Sequence, residues 1–425
     1  MRPEIPAFAG MTVEWLRAFP SHPLLSTRRP VYGPPMHIHG LIEDSTALAN
    51  LCARFATKPY ICVDTEFMRE NSYWPELCLI QIADDEEAAA VDPMGGIDMT
   101  PLLELMTNNE EVLKVFHAGG QDIEIVYNLT GKTPHPLFDT QVAAMALGQG
   151  EQIGYSNLVD TYLGITVDKG ARFTDWSRRP LDKRQIDYAI CDVTYLSEIF
   201  PKMLEKLRKT GRGAWLDQEM ERLADPENYH NDPDEAWQRV RVSSRKPEVL
   251  GRLKALARWR EIEAQGKDLP RGRIIKDETL ADLAGTPPRK QGDLAKVRGL
   301  SPAWGGNDIG GRLMAALESA KPMSSDELPA RDDRKPALGK DGALVADLLK
   351  LLLKIRAKEI NVAARLLARS DDLEALAAGV RKDLSILEGW RFEQFGRDAL
   401  ELVEGQLGFT VRNGKLKMTR TEEPS

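Results

Sequence analysis

Strand-like runs recur through the first half of this chain and stop after Gly211, and that switch limits the fold more than any other feature. Between about Leu41 and Leu207, short runs rich in β-branched and aromatic residues alternate with stretches of helical spacing. "YICVDTE" opens the strand set. "LCLIQIAD" (77–84) and "AAAVDPM" (88–94) continue it as a hairpin, and "VLKVFHA" (112–118) is a further strand. "MTPLLELMTN" and a segment from about Gln121 to Leu129 carry apolar residues at helical spacing, the second stopping near Gly131. "SNLVDTYLG" is a short helix opened by Ser156 and closed by Gly164. "LDKRQIDYAICDVTYLSEIFPKMLEKLRK" is a long helix, or a helix pair kinked or broken at Pro201. Strands and helices interleaved in this way predict an α/β domain on a mixed sheet over 36–210.

The rest of the chain reads as all-α. A connector (211–231) leads to a first helical module over 232–320, with helices at 247–264 and 277–284 and a further turn at 293–298. The polar, proline-bearing stretch 321–342 is a linker. A second module over 343–412 repeats the rough order of long helix, loop and short acidic-capped helix, so the two are taken as copies of one unit. Residues 413–425 are expected to be a tail. Residues 1–35 are expected to be a disordered tail or a wrongly assigned start, with Met36 as the first residue and His37 and His39 in a floppy lead-in.

No apolar run approaches the ~20 residues of a membrane span, and no secretory signal is evident, so the expected location is the cytoplasm, with no protein partner evident. The four cysteines (Cys52, Cys62, Cys78, Cys191) lack a C-x-x-C pair and fit buried thiols. The net charge of −8 is unevenly spread. Residues 1–200 hold 15 basic and 28 acidic residues, a net −13, whereas 201–425 hold 42 and 37, a net +5. The segment 239–298 is the most positive, with 16 basic and 8 acidic residues. An acidic half joined to a basic one suits an anionic substrate, held by one part and processed by the other through a cation.

The acidic half concentrates its carboxylates at element ends. Alternation along "YICVDTE" puts Asp64 and Glu66 on one face of a strand. Asp122 falls just inside the helix after the 112–118 strand, and Tyr188 and Asp192, four apart, share a helix face. Four carboxylates converge only if cations neutralise them, and Mg²⁺ or Mn²⁺ prefers such oxygen ligands. Two such ions about 3.5–4 Å apart would stabilise the attacking and leaving oxygens of a phosphodiester in cleavage.

The ordered set D-x-E, H-A-x-x-x-D, Y-x-x-x-D resembles the DEDD exonucleases of the tyrosine subclass. "LCLIQIAD", "HAGGQDIE", "TDWSRRPL" and "YAICDVTYL" resemble the ribonuclease D family within it, and the helical modules resemble its HRDC domains. The resemblance implies an RNase H-like mixed-sheet exonuclease domain followed by two small helical HRDC-like domains. It implies a 3′→5′ exoribonuclease that releases 5′-mononucleotides from RNA 3′ ends, with tRNA precursors as substrates and two divalent metals per active site. Asp64, Glu66 and Asp192 would hold one metal. Asp64 and Asp122 would serve the second, and Tyr188 would orient the attacking water. Thr65, Phe67, Met68, His117 and Gln121 are candidate substrate contacts. Phe67 and Met68 either wedge against terminal bases or pack in the core. His117 either meets a phosphate or ribose or is a satisfied core histidine. Arg258, Arg260 and Arg271 are candidate phosphate contacts, and Trp259 is either a stacking platform or core. All candidate ligands precede residue 230, so the nuclease part is expected to fold and cleave alone. A DNA exonuclease of the same chemistry, and an RNA-binding protein on a dead nuclease fold, are the rival readings.

Overall fold

The computed structural model describes residues 36–168, 170–328 and 338–420. The expected N-terminal tail, the middle of the linker and the last five residues lie outside them. The first half is built on one six-stranded mixed sheet in the order β1-β4-β3-β2-β5-β6, with β1 His37–Ile42, β2 Tyr60–Met68, β3 Glu76–Ala83, β4 Glu87–Val91, β5 Leu113–Phe116 and β6 Leu137–Asp139. β2 runs antiparallel to β3 and parallel to β5, which puts the carboxyl end of β2 at the middle of the sheet. Its first four residues are buried, as the apolar run "YICV" requires.

Two strands escape the periodicity argument. β1 pairs with β4 at the sheet edge, so His37 and His39 are ordered rather than part of a floppy lead-in. His39 meets Glu87, which Arg54 also binds. β6 has only three residues, too few to show a period.

Five helices, α1 Ser45–Phe55, α2 Thr100–Thr107, α3 Gly120–Thr130, α4 Thr140–Ala146 and α5 Tyr155–Leu163, lie in the same half. Its longest helix, α6 Lys183–Thr210, begins with a reciprocal capping box between Asp182 and Gln185. It runs through Pro201 without a break. Pro201 has no N–H to offer the carbonyl of Ser197, and the hydroxyl of Tyr60 donates to that carbonyl instead, at 3.2 Å. This bond ties α6 to the first residue of β2, the strand that carries Asp64 and Glu66.

Beyond α7 Asp217–Ala224 the chain builds two further cores. The first joins α8 Pro247–Gly266, α9 Asp277–Gly285 and α10 Asp308–Ser319, and Trp259 is one of its buried members. The second joins α11 Gly342–Glu359, α12 Ser370–Ala377 and α13 Arg397–Val403. Residues 413–420 belong to a hairpin rather than a tail: β7 Leu407–Arg412 pairs antiparallel with β8 Lys415–Arg420.

Both helical units grip the first half. Tyr73, on the β2–β3 loop, is buried in the core of the first. Trp390 of the second stacks on Trp215, with centroids 4.5 Å apart and planes 6° from parallel. Arg391 reaches Gln218 and Glu219 of α7 at 2.5 and 2.6 Å.

Candidate active site

The site forms where β2, α3 and α6 meet. Asp64 and Glu66 project from one face of β2, opposite Gln81 and Leu79 of β3. Asp192 lies one turn after Tyr188 on α6. Carboxylate oxygens of Asp64, Glu66 and Asp192 lie within 4.8 Å of one another. Asp122, in the first turn of α3, stands beside this group, and its carboxylate accepts a hydrogen bond from the Thr65 hydroxyl.

The turn that delivers Asp122 is strained. Ala118 takes φ +58°, a left-handed conformation that costs roughly 1–3 kcal/mol outside glycine. A Cβ at Gly119 would lie 2.5 Å from Cβ of Phe116. Asp139 holds this turn. Its carboxylate accepts from the backbone N–H groups of Ala118 and Gly119 at 3.1 and 2.8 Å, and also caps α4 through Gln141 and Val142. Asp139 is a positioning residue that the spacing of acidic motifs does not single out.

Burial acts on all four carboxylates, and repulsion within the cluster adds to it at Asp64 and Glu66. Burial first, then the charges of Asp122, Asp192 and Glu66, raise Asp64 well above the usual range. Burial lifts Glu66 to about 9, Asp192 to about 7 and Asp122 to about 6. Among the described residues, none of the four forms an ion pair with a lysine or arginine within 4.0 Å. The charge of Arg172 favours the ionised forms of Glu66 and Asp192. Oδ1 of Asp192 is buried without a partner. An oxygen-rich, net-anionic cluster with an unpartnered buried carboxylate oxygen fits a hard divalent cation.

Tyr188 is half-buried on α6, one turn before Asp192. Burial, with the charges of Asp192, Glu66 and Asp64, pushes its pKa upward, so the phenol stays protonated. Trp176 is buried 6.2 Å from its ring. Two other groups adjoin the site. Tyr155 donates its hydroxyl to the backbone carbonyl of Asp192 at 2.5 Å. Gln81, facing Asp64 across the ladder, is fully buried with neither amide atom partnered.

The remaining candidates separate. Met68 packs against the core of the sheet domain, whereas Phe67 is half-buried outside it. Gln121 is exposed at the start of α3. Nδ1 of His117 lies 3.0 Å from the Thr140 hydroxyl, which spends its own proton on the Phe116 carbonyl. His117 therefore donates through Nδ1, and burial lowers its pKa, so it stays neutral at pH 7. An unforeseen residue stands near these: Phe173 is 90% exposed, with the Arg172 guanidinium 5.2 Å from its ring centre. The loop holding it is fixed to α6 through Thr174 and Gln185.

The three arginines expected to meet phosphate are not equivalent. Arg260 is 3% exposed and pairs with Asp277, so its guanidinium does not reach an outside phosphate. Arg271 is bound to Glu261 and the Tyr73 hydroxyl. Both expectations are corrected: Arg260 is itself buried, and Arg271 is held by Glu261, a buried carboxylate that would be costly without a partner. Arg258 is exposed and pairs with Asp234 at 2.8 Å.

Comparison with known proteins agrees with this geometry. A family model described as a 3′-5′ exonuclease matches residues 40–208, and the HRDC domain model matches 249–317. Ribonuclease D of Sphingobium indicum is 74% identical over 91% of this chain and all of the relative. That of Zymomonas mobilis is 64% identical over the same shares. The crystal structure of Escherichia coli RNase D, described as an exoribonuclease involved in structured RNA processing, superposes with a TM-score of 0.71. It is 29% identical, and the match covers 86% of this chain and 98% of that one. Matched over nine-tenths of its length at this identity, the chain belongs to the ribonuclease D family of 3′-5′ exoribonucleases.

Proposed function

We propose that this enzyme trims the 3′ ends of tRNA precursors one nucleotide at a time, in the cytoplasm, using two divalent cations, Mg²⁺ or Mn²⁺. The observation that carries the reading is the convergence of Asp64, Glu66 and Asp192 within 4.8 Å beside a protonated Tyr188. Asp64, Glu66 and Asp192 would hold one cation, and Asp64 and Asp122 would hold the other. When bound, such cations lower the pKa of water and offset charge on the phosphate oxygens.

The chain's own residues supply orientation. Tyr188 remains a donor, so it positions the attacking water rather than deprotonating it. Water oxygen bonds to the phosphorus of the terminal phosphodiester as one water proton passes to solvent, the bond to the preceding ribose O3′ breaks, and O3′ takes up a proton from solvent. A 5′-mononucleotide leaves. Phe67 and Phe173 offer aromatic faces to unstacked 3′ bases, and Arg172 offers charge to a phosphate. Neutral His117 suits a sugar hydroxyl better than a phosphate. Met68, Thr65 and Gln121 shape the wall around them.

A tRNA precursor with a 3′ extension, labelled at its 5′ end, tests the reading. It should shorten in single-nucleotide steps that slow at the mature end, with 5′-mononucleotides as the small product. Internal cuts, or a precursor left intact while a short single strand is degraded, would contradict it.

A further inference from the structure

We propose that the β7–β8 hairpin is an RNA-backbone arm, an inference that rests on the exoribonuclease reading. Its sequence, "LGFTVRNGKLKMTR", contains four basic residues and no acidic one. The turn is Asn413-Gly414, with φ +52° and +71°, the two-residue type I′ geometry that matches strand twist and sets the register tightly.

The ladder sorts the side chains into two faces. Leu407, Phe409 and Val411 share one face with Arg420, Met418 and Leu416. At the root, Leu407 is buried and Phe409 and Met418 pack on the second helical core. Arg420 is tied to Glu401 and Asp398, each at 2.7 Å. The hairpin is thus anchored at one end. The other face carries Thr410, Arg412, Lys415 and Lys417. Arg412 stands directly opposite Lys415, and Lys417 is one ladder step away from them. All three are exposed, and none is within ion-pair distance of a described carboxylate.

Like charges directly opposite each other in a ladder are destabilising. A rigid turn that holds them together therefore makes sense when an external polyanion neutralises them. The substrate supplies one. The first 200 residues are net −13, so an RNA strand entering the nuclease is repelled until cations elsewhere hold it. The first helical unit is a weaker candidate than its charge suggests, because Arg260 and Arg271 are engaged inside the fold. Arg412, Lys415 and Lys417 of the hairpin have no such partner among the described residues.

The test is filter binding of the 3′-extended tRNA precursor in EDTA across a salt series, with the full chain and its Arg412→Gln/Lys415→Gln/Lys417→Gln variant. Removing one phosphate-neutralising cation should flatten the log-affinity against log-salt slope by ~0.7, so the triple variant should flatten it by about 2. Arg412→Lys, which keeps the charge, should retain the parent slope and shows that the hairpin tolerates substitution. An unchanged slope and affinity in the triple variant overturn the proposal, and the exposed Val411–Leu416 pair would then point to a protein partner. Because cleavage is not read, failure of the exonuclease reading would show separately, as a parent enzyme that binds RNA and does not shorten it.

Discussion

The hydroxyl of Tyr73 donates to the carboxylate of Glu261, a residue 188 positions further along the chain. The ring beneath that hydroxyl faces the Arg271 guanidinium at 4.7 Å, and Asp268 accepts from the backbone N–H groups of Tyr73 and Trp74. This cluster clamps the loop leaving the catalytic strand β2 into the first helical unit. The helical half is part of the scaffold of the site.

Removing a partner from this clamp should therefore cost stability. Glu261 is fully buried, and Arg271→Ala leaves it without its cation, a loss of about 3–5 kcal/mol for a buried charge. Thermal unfolding should show an earlier melt, with little change in the salt slope of RNA binding. Truncation after residue 230 should likewise destabilise the nuclease, because Tyr73 and Trp74 lose their cover. A truncated protein that melts with the full chain would remove the scaffold role.

Tyr188→Phe deletes one hydroxyl and keeps the ring. If that hydroxyl positions water, turnover should fall by roughly ten- to a thousandfold, about 1.4–4 kcal/mol at the transition state. RNA affinity should change little. Unchanged turnover with weakened binding would reassign Tyr188 to the substrate wall.

Much of this site is legible in the sequence, because its chemistry is local. Asp64 and Glu66 follow from period-2 alternation, and Tyr188 with Asp192 from one helical turn. Asp139 is not legible: its partners are backbone amides at Ala118 and Gly119, which no side-chain pattern announces. Phe173 sits inside a loop with no period to mark it, and its one available signal is an aromatic beside Arg172. The continuity of α6 through Pro201 depends on a hydroxyl 137 residues distant. The basic count in 239–298 misleads because charge in a sequence does not say which cations are already paired, as Arg260 and Arg271 are. The "VRNGKLKM" hairpin is readable in principle: Asn-Gly between alternating runs is a strong local signal.

Lys114 gives a pH signature away from the site. It is fully buried on β5, with Nζ donating to the His135 carbonyl at 2.6 Å, and burial holds its pKa down to about 7. The unfolded value is 10.5, so between these limits the unfolded chain binds a proton that the folded one lacks. Stability from this group is lowest below about pH 7 and rises with pH up to the unfolded value. Lys114→Met should flatten that rise in chemical denaturation measured between pH 7 and 9. A rise of the same slope in the variant would contradict it.

Cation binding should be visible without turnover. Carboxylates that repel one another in the free protein should gain from Mg²⁺ or Mn²⁺, so the parent's melting temperature should climb with metal concentration. Asp64→Asn should melt no earlier than the parent in EDTA, since it relieves repulsion, and should lose most of the metal-dependent climb. A full climb in that variant would move the metal site elsewhere.

The central claim is that the Asp64–Glu66–Asp192 cluster, loaded with divalent cations, removes nucleotides from RNA 3′ ends. The most direct measurement compares parent and Asp192→Asn proteins on 5′-end-labelled RNA, with Mg²⁺ or with EDTA. The account predicts stepwise shortening by the parent in Mg²⁺ alone, and none by folded Asp192→Asn under either condition. Full activity in purified Asp192→Asn, or shortening by the parent in EDTA, would contradict it.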